Sequence, residues 1–265
     1  MDATTFFRRG WIRFPHDPAI AEWTARARPV ADACRTDPAL RARWLRCGGT
    51  WFVGVNALPN DSSGAVPDAR VPPLGGAPIR FIADVLGFPG IAWDRAQISV
   101  CYPGYPQPSP GESNAAFRFR LERDAAHVDG IRRAEGKRRR LGEAHGFILG
   151  VPLTDPPAGA APLVVWEGSH EIMRRALRER LTDVPPERWL DEDITETYTA
   201  ARRECFEACR RVVVAARPGE AYLIHRLALH GVAPWTARDE GERMVAYFRP
   251  DPFPGAPRAW WLERA

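Results

Sequence analysis

Of the six histidines in this 265-residue chain, one is followed two positions later by a carboxylate: His127 and Asp129, within RDAAHVDG at 123–130. On extended backbone side chains alternate, so residues one apart point to the same face and can chelate one metal. A third ligand from a distant strand would complete a facial set. His230, followed by Gly231 and 103 residues beyond His127, can supply it. Two imidazoles and one carboxylate on one face of Fe(II) leave three positions open, enough for a bidentate cosubstrate and O2 together. An H-x-D tripeptide alone says little, and a chance pair on a surface turn is the plain alternative. Thirteen residues after His230 stands Arg243, heading RMVAYF. Alternation sets Arg243, Val245 and Tyr247 on one face and Met244, Ala246 and Phe248 on the other. A guanidinium heading a strand apolar on both faces must find an anion or reach solvent, because a buried unpaired charge is costly. A carboxylate held by the planar fork is its natural partner.

The elements that would position these residues follow from pattern. With 45% hydrophobic and 26% charged residues of mixed sign, the chain can bury a large core, and 26 prolines and 22 glycines predict many turns and long connections. Asp17-Pro18 and Asp37-Pro38 each read as a capped helix start, giving two helices that run to about Arg46. TWFVGVN (50–56) reads as a strand, 59–78 as a long loop, APIRFIADVLGF as a helix and AQISVCY as a strand. The alternating AFRFRLE before the H-x-D reads as a half-buried strand. AHGFILGVPLTD, APLVVWEGSH, VVVAARPGEAYLIHRLALHG and ERMVAYFRP read as strands, with a helical insertion over about 171–211. Helices followed by closely spaced strands predict a mainly β fold with flanking helices, a jelly roll. The expected organisation is a single domain, 1–265, with a helical part at 1–48 and a jelly-roll core at 94–250.

The order H-V-D (127–129), VVWEGSH (164–170), RPGEAYLIHRLALHG (217–231) and Arg243 resembles the phytanoyl-CoA dioxygenase-like branch of the Fe(II)/2-oxoglutarate-dependent oxygenases. The likeness spans Arg123 to Tyr247, while the first 100 residues carry no matching motif. It implies a double-stranded β-helix, cupin-like. It also implies His127, Asp129 and His230 as iron ligands, Arg243 on the distal carboxylate of 2-oxoglutarate, and O2 as the other cosubstrate. The reaction implied is oxidative decarboxylation of 2-oxoglutarate to succinate and CO2, coupled to hydroxylation of an unactivated C–H bond. In related halogenases a small residue replaces the carboxylate, so an intact Asp129 implies hydroxylation. Glu167 stands where the family usually has a proline before the glycine of the GSH turn, a departure at a structural turn and not at a ligand.

The remaining candidates have plainer readings. His225 reads as packed, and His145 and His170 as supporting or helix-capping residues. Trp235 could line a pocket or belong to the core. IRRAEGKRRRLGE (131–143) holds Arg132, Arg133, Lys137, Arg138, Arg139 and Arg140, which would draw a phosphate or carboxylate to the site mouth or form a solvated loop. With a formal net charge of +4 and a pI near 9.0, the expected partner is a small-molecule substrate, phosphorylated or carboxylated, and not a nucleic acid. Five cysteines without C-x-x-C spacing, no secretory-type N-terminus and no run of 18 apolar residues predict a cytoplasmic protein without a transmembrane segment. The composition leaves the oligomeric state open. The competing class is a non-catalytic jelly roll that keeps its metal-binding residues for sensing or structure.

Overall fold

The computed structural model describes residues 3–67 and 72–263; residues 68–71 of the predicted 59–78 loop lie outside this range. In chain order the elements are α1 (Ala3–Arg9), β1 (Trp11–Phe14), α2 (Pro18–Thr36), α3 (Pro38–Trp44), β2 (Leu45–Arg46), β3 (Trp51–Phe52), α4 (Ala77–Asp84), β4 (Gln97–Cys101) and α5 (Asn114–Glu122). There follow β5 (Ile131–Arg133), β6 (Arg139–Leu141), β7 (Phe147–Pro152), β8 (Leu163–Trp166), α6 (Ser169–Leu181) and α7 (Thr195–Ala208). The chain then forms β9 (Arg211–Val214), β10 (Ala221–His225), β11 (His230–Val232), β12 (Arg243–Phe248) and a 3-10 turn at Arg258–Leu262.

Two antiparallel sheets face each other. The larger has the order β1-β10-β7-β12-β4-β3-β2 and the smaller β11-β8-β9. The chain passes between sheets from β7 to β8, from β9 to β10, and at both ends of β11, which makes the architecture a jelly roll, the double-stranded β-helix. Ile148, Tyr222, Ile224, Val245 and Tyr247 of the large sheet meet Leu163, Val165 and Val214 of the small one. On the outer face of the large sheet, Phe14, Phe147, Leu149 and Phe248 pack under Ile20, Trp23 and Ala27 of α2 and Phe81 of α4. The small sheet's outer face is covered by Met173 and Leu177 of α6 with Tyr198 and Cys205 of α7. Central strands buried on both faces read as continuous apolar runs, and β7 and β12 are buried throughout.

Both Asp-Pro helix starts behave as predicted. Asp17 accepts from Ala19 N at 2.9 Å and Asp37 from Leu40 N at 2.8 Å. Asp17 also accepts from Ala77 N at 2.7 Å, so one carboxylate caps α2 and ties the start of α4 to it. Asp17→Ala is therefore expected to lower stability by about 1–2 kcal/mol, read as a fall in urea midpoint at unchanged slope.

Four expectations are corrected. AFRFRLE is not a strand but α5: Ser113 caps it through Ala116 N, and Ala, Arg, Leu and Glu favour a helix once capped. Its phenylalanines alternate in sequence, yet no residue of α5 is buried, and Phe119 is held instead by Phe206 and by Arg202 over its ring. The helical part at 1–48 contributes β1, which pairs along its whole length with β10; four residues of edge strand are too short for pattern to announce. TWFVGVN keeps only Trp51–Phe52 as strand. The basic run is a hairpin, β5 against β6, and not a loop.

Candidate metal centre

The opening tetrapeptide RDAA is what aims the H-x-D. Asp124 and Ala125 both adopt left-handed backbone (φ 52° and 53°), turning the chain back after α5. The Asp124 carboxylate is gripped by both arms of the Arg211 fork, at 2.7 and 2.8 Å. Its carbonyl accepts from Val232 N at 2.9 Å. The turn is thereby fastened to β9 and β11, and His127 lands opposite His230 in an antiparallel bridge, with reciprocal backbone bonds of 2.8 and 3.0 Å. Gly231 permits this approach, since a Cβ there would lie 2.1 Å from the Asp124 carbonyl oxygen. Gly231→Ala is expected to push the turn off β11 and weaken divalent-metal binding by about ten-fold or more, measured by titration of the full-length protein.

His127, Asp129 and His230 present ligand atoms that all lie within 4.8 Å of one another. Each histidine places Nδ1 at 3.0 Å from the carbonyl two residues earlier, Ala125 for His127 and Ala228 for His230. A carbonyl can only accept, so Nδ1 carries the hydrogen in both rings, and Nε2 is the atom each ring turns towards Asp129. Both Nε2 atoms face Asp129, at 3.0 Å for His127 and 3.7 Å for His230. Burial alone would lower the His127 pKa, but the hydrogen bond and charge of Asp129 raise it, so that ring shares with Asp129 a proton that a divalent cation would displace. Two oriented imidazoles and a carboxylate fit such a cation. Burial pushes the His230 pKa down to about 4, which keeps the ring in its ligating form.

Arg249, which sequence reasoning passed over, reaches the same carboxylate. Its Nε lies 2.5 Å from Asp129 Oδ2, and its Nη1 donates to Gln97 Oε1 at 2.6 Å. Burial alone would raise the Asp129 carboxyl, but Arg249, the His127 hydrogen bond and the two imidazoles hold it well below the usual carboxylate range. The signal was available: the face that carries Arg243, Val245 and Tyr247 reaches Arg249 one step beyond the strand.

The three residues line a cavity of about 680 Å³ together with Ile148, Leu163, Ile224, Tyr247 and Arg249. Arg243 does not line it. Arg243 is buried behind Tyr247, on the side of a neighbouring cavity of about 550 Å³. Its Nη2 donates to Tyr247 Oη at 2.8 Å, and Tyr222 Oη donates to the same oxygen at 2.9 Å. With two donors already on that oxygen, the Tyr247 hydrogen is left to be donated elsewhere. Arg243 Nη1 is buried with no partner among the described residues. Gly150 makes the tyrosine pair possible. It faces Tyr222 on one side and Tyr247 on the other in the sheet register, and a Cβ there would meet the Tyr222 ring at 2.1 Å.

The other histidines divide. His170 bonds Phe7 O through Nε2 at 2.9 Å, and His225 accepts from Leu227 N at 3.1 Å; the two rings pack at 4.7 Å, away from the triad. His145 lines the triad cavity. Trp235 packs beside Cys101 and Tyr105 and is not among the residues lining that cavity. Glu167, in the place of the proline, pairs with Arg210 at 2.7 Å and takes the Trp11 indole N–H at 2.9 Å. Within the basic run Arg132, Arg133, Lys137 and Arg138 are exposed, and Arg138 pairs with Asp193 at 2.9 Å.

No family model matches the chain, and no curated protein does. Among solved structures it is similar to the non-heme alpha ketoglutarate dependent carbocyclase SnoK from nogalamycin biosynthesis, at 14% identity over 93% of this chain and 81% of that one, with a TM-score of 0.49. AviO1 from Streptomyces viridochromogenes Tue57 is 15% identical over 96% of this chain and 95% of its own, with a TM-score of 0.45. EctD from S. alaskensis with bound Fe is 19% identical over 99% and 82%, with a TM-score of 0.43. Likenesses this distant carry no argument about activity, which rests on the chain's own residues. No helix among the described residues is long and apolar enough to cross a membrane.

Proposed function

We propose that this chain is an Fe(II)- and 2-oxoglutarate-dependent dioxygenase that hydroxylates an unactivated C–H bond of a small or medium metabolite in the cytoplasm. One observation carries the reading: two imidazoles with Nδ1 committed to backbone carbonyls turn both Nε2 atoms to Asp129. His127, Asp129 and His230 would hold the iron. Arg243, through the Tyr247 hydroxyl, would hold the distal carboxylate of 2-oxoglutarate. When bound, iron with 2-oxoglutarate and O2 supplies hydroxylation of a C–H bond with release of succinate and CO2.

The protein's own part is positional. Arg249 and Gln97 fix the Asp129 carboxylate plane, the His127–His230 bridge fixes the two rings, and Ile148, Leu163, Ile224 and Val232 give the cavity an apolar wall that disfavours water. An anionic group on the substrate would be met by Arg258, which lines the cavity and has a buried, unpaired Nη1, rather than by the outward-facing basic hairpin. Five free cysteines suit a reducing compartment.

The test is anaerobic addition of Fe(II) and 2-oxoglutarate, then O2. The expected results are a visible charge-transfer band before O2 and succinate after it. Metal binding with neither band nor succinate would support the competing reading, a non-catalytic metal-binding jelly roll, which the Arg249 grip on one Asp129 oxygen favours.

A further inference from the structure

We propose that the cavity wall around His145 is a hydroxyl-recognising subsite, which takes the polyhydroxylated body of the substrate, a sugar-like or cyclitol ring. The inference deepens the oxygenase reading and rests on it for calling this cavity an active site.

His145 is only 2% exposed, yet neither ring nitrogen has a partner among the described residues. Buried polar groups in folded proteins are nearly always hydrogen-bonded, so an imidazole unpaired at both ends in the wall of a cavity points to a ligand. Burial keeps the ring neutral, with one donor and one acceptor. A hydroxyl is also donor and acceptor at once, and complements it without a net charge.

The rest of the wall has matching chemistry. Asp94, Glu143 and Asp251 line the same cavity. Asp94 Oδ1 accepts from Arg249 N at 2.8 Å and Asp251 Oδ1 from Phe253 N at 2.9 Å, which leaves a second oxygen on each for an incoming donor. Carboxylates accept what hydroxyls donate, and Arg258 on the same lining donates to hydroxyl oxygens. Trp51 also lines the cavity, with its indole N–H already spent on Ser99 Oγ at 3.0 Å, so it offers apolar ring surface to the C–H groups of such a ring. A cation is the less suitable occupant. Arg249 and Arg258 share the lining, and burial pushes the Asp94 carboxyl up to about 6, towards the uncharged form.

The test is calorimetric titration of the full-length protein with glucose, myo-inositol, glucose 6-phosphate and, as the ammonium control, ethanolamine. At least one polyol is expected to bind with Kd on the order of 1 mM or tighter. His145→Phe should weaken that binding about ten-fold, while His145→Gln, which keeps a donor and an acceptor, should restore most of it. Comparison of glucose with glucose 6-phosphate separates a neutral polyol from one with an anionic substituent. The imidazole ¹⁵N resonances of His145 in the unmodified protein should move on polyol addition, a readout that survives if His145→Phe does not fold. The proposal is overturned if no polyol binds at about 10 mM, if ethanolamine binds in their place, or if the His145 resonances do not move. The titration needs no turnover. Polyol binding without succinate overturns the oxygenase reading alone, and succinate without polyol binding overturns the subsite alone.

Discussion

Asp129→Ala is expected to remove metal-dependent succinate formation and to weaken Fe(II) binding by on the order of 100-fold or more, because one of three ligands is lost and no fourth His, Cys, Asp or Glu among the described residues joins that cluster. The same substitution should also cost stability, for a separate reason. Asp129 is the carboxylate that faces the Arg249 guanidinium, at 2.5 Å, and removing one member of a largely buried pair strands the other. A loss of about 3 kcal/mol in urea unfolding is expected. The double variant Asp129→Ala/Arg249→Met separates the two effects. It removes the stranded charge and should regain most of the stability while recovering none of the metal affinity. If iron binding returned in the double variant, Asp129 would be a structural partner of Arg249 and not a ligand.

Arg243→Met is expected to raise KM for 2-oxoglutarate by about 100-fold, with kcat changed much less, because the lost contact is made to a part of the cosubstrate remote from the reacting atoms. Tyr247→Phe should act in the same direction by about ten-fold, since its hydroxyl relays Arg243 to the triad cavity. The stability readout should move the other way from an ordinary core lesion. Arg243 is buried with Nη1 unpaired, so a methionine of similar length removes an unsatisfied charge and should leave the melting temperature unchanged or higher. A variant that melts early and keeps its KM would make Arg243 a structural residue of the Tyr222–Tyr247 cluster.

The site was legible where its chemistry is written in residue type and spacing. His127, Asp129 and His230 are brought together as expected, and Arg243 heads its strand on the predicted face. Arg249 was missed because it stands one step past the strand, and its partner Gln97 comes from β4, far away in sequence. His145 read as a supporting histidine because sequence carries no record of whether a ring nitrogen finds a partner. The opening RDAA had no evident role; its left-handed turn and its Arg211 partner are what aim the H-x-D. In the fold, α5 was misread because alternating phenylalanines mimic a strand when nothing reveals that Phe119 rests on Phe206 and not on a sheet. The β1 edge strand is four residues long and acquires its identity only by pairing with β10.

The sequence by itself determined the local matters: the Asp-Pro helix starts, the buried strands β7, β8, β10 and β12, and a donor set suited to one divalent metal. These depend on backbone caps, on period-two or continuous apolar patterning and on ligand chemistry, all of which act over a few residues. Tertiary structure alone decided what the donors face. Whether Arg243 looks into the triad cavity or stands behind a tyrosine depends on Gly150 letting Tyr222 and Tyr247 meet across a third strand. The close bridge between His127 and His230 likewise depends on Gly231 passing under the Asp124 carbonyl. Such contacts join residues about 25 to more than 100 positions apart. Only packing sets them, because the excluded volume that permits or forbids them belongs to the folded chain and to no single segment of it.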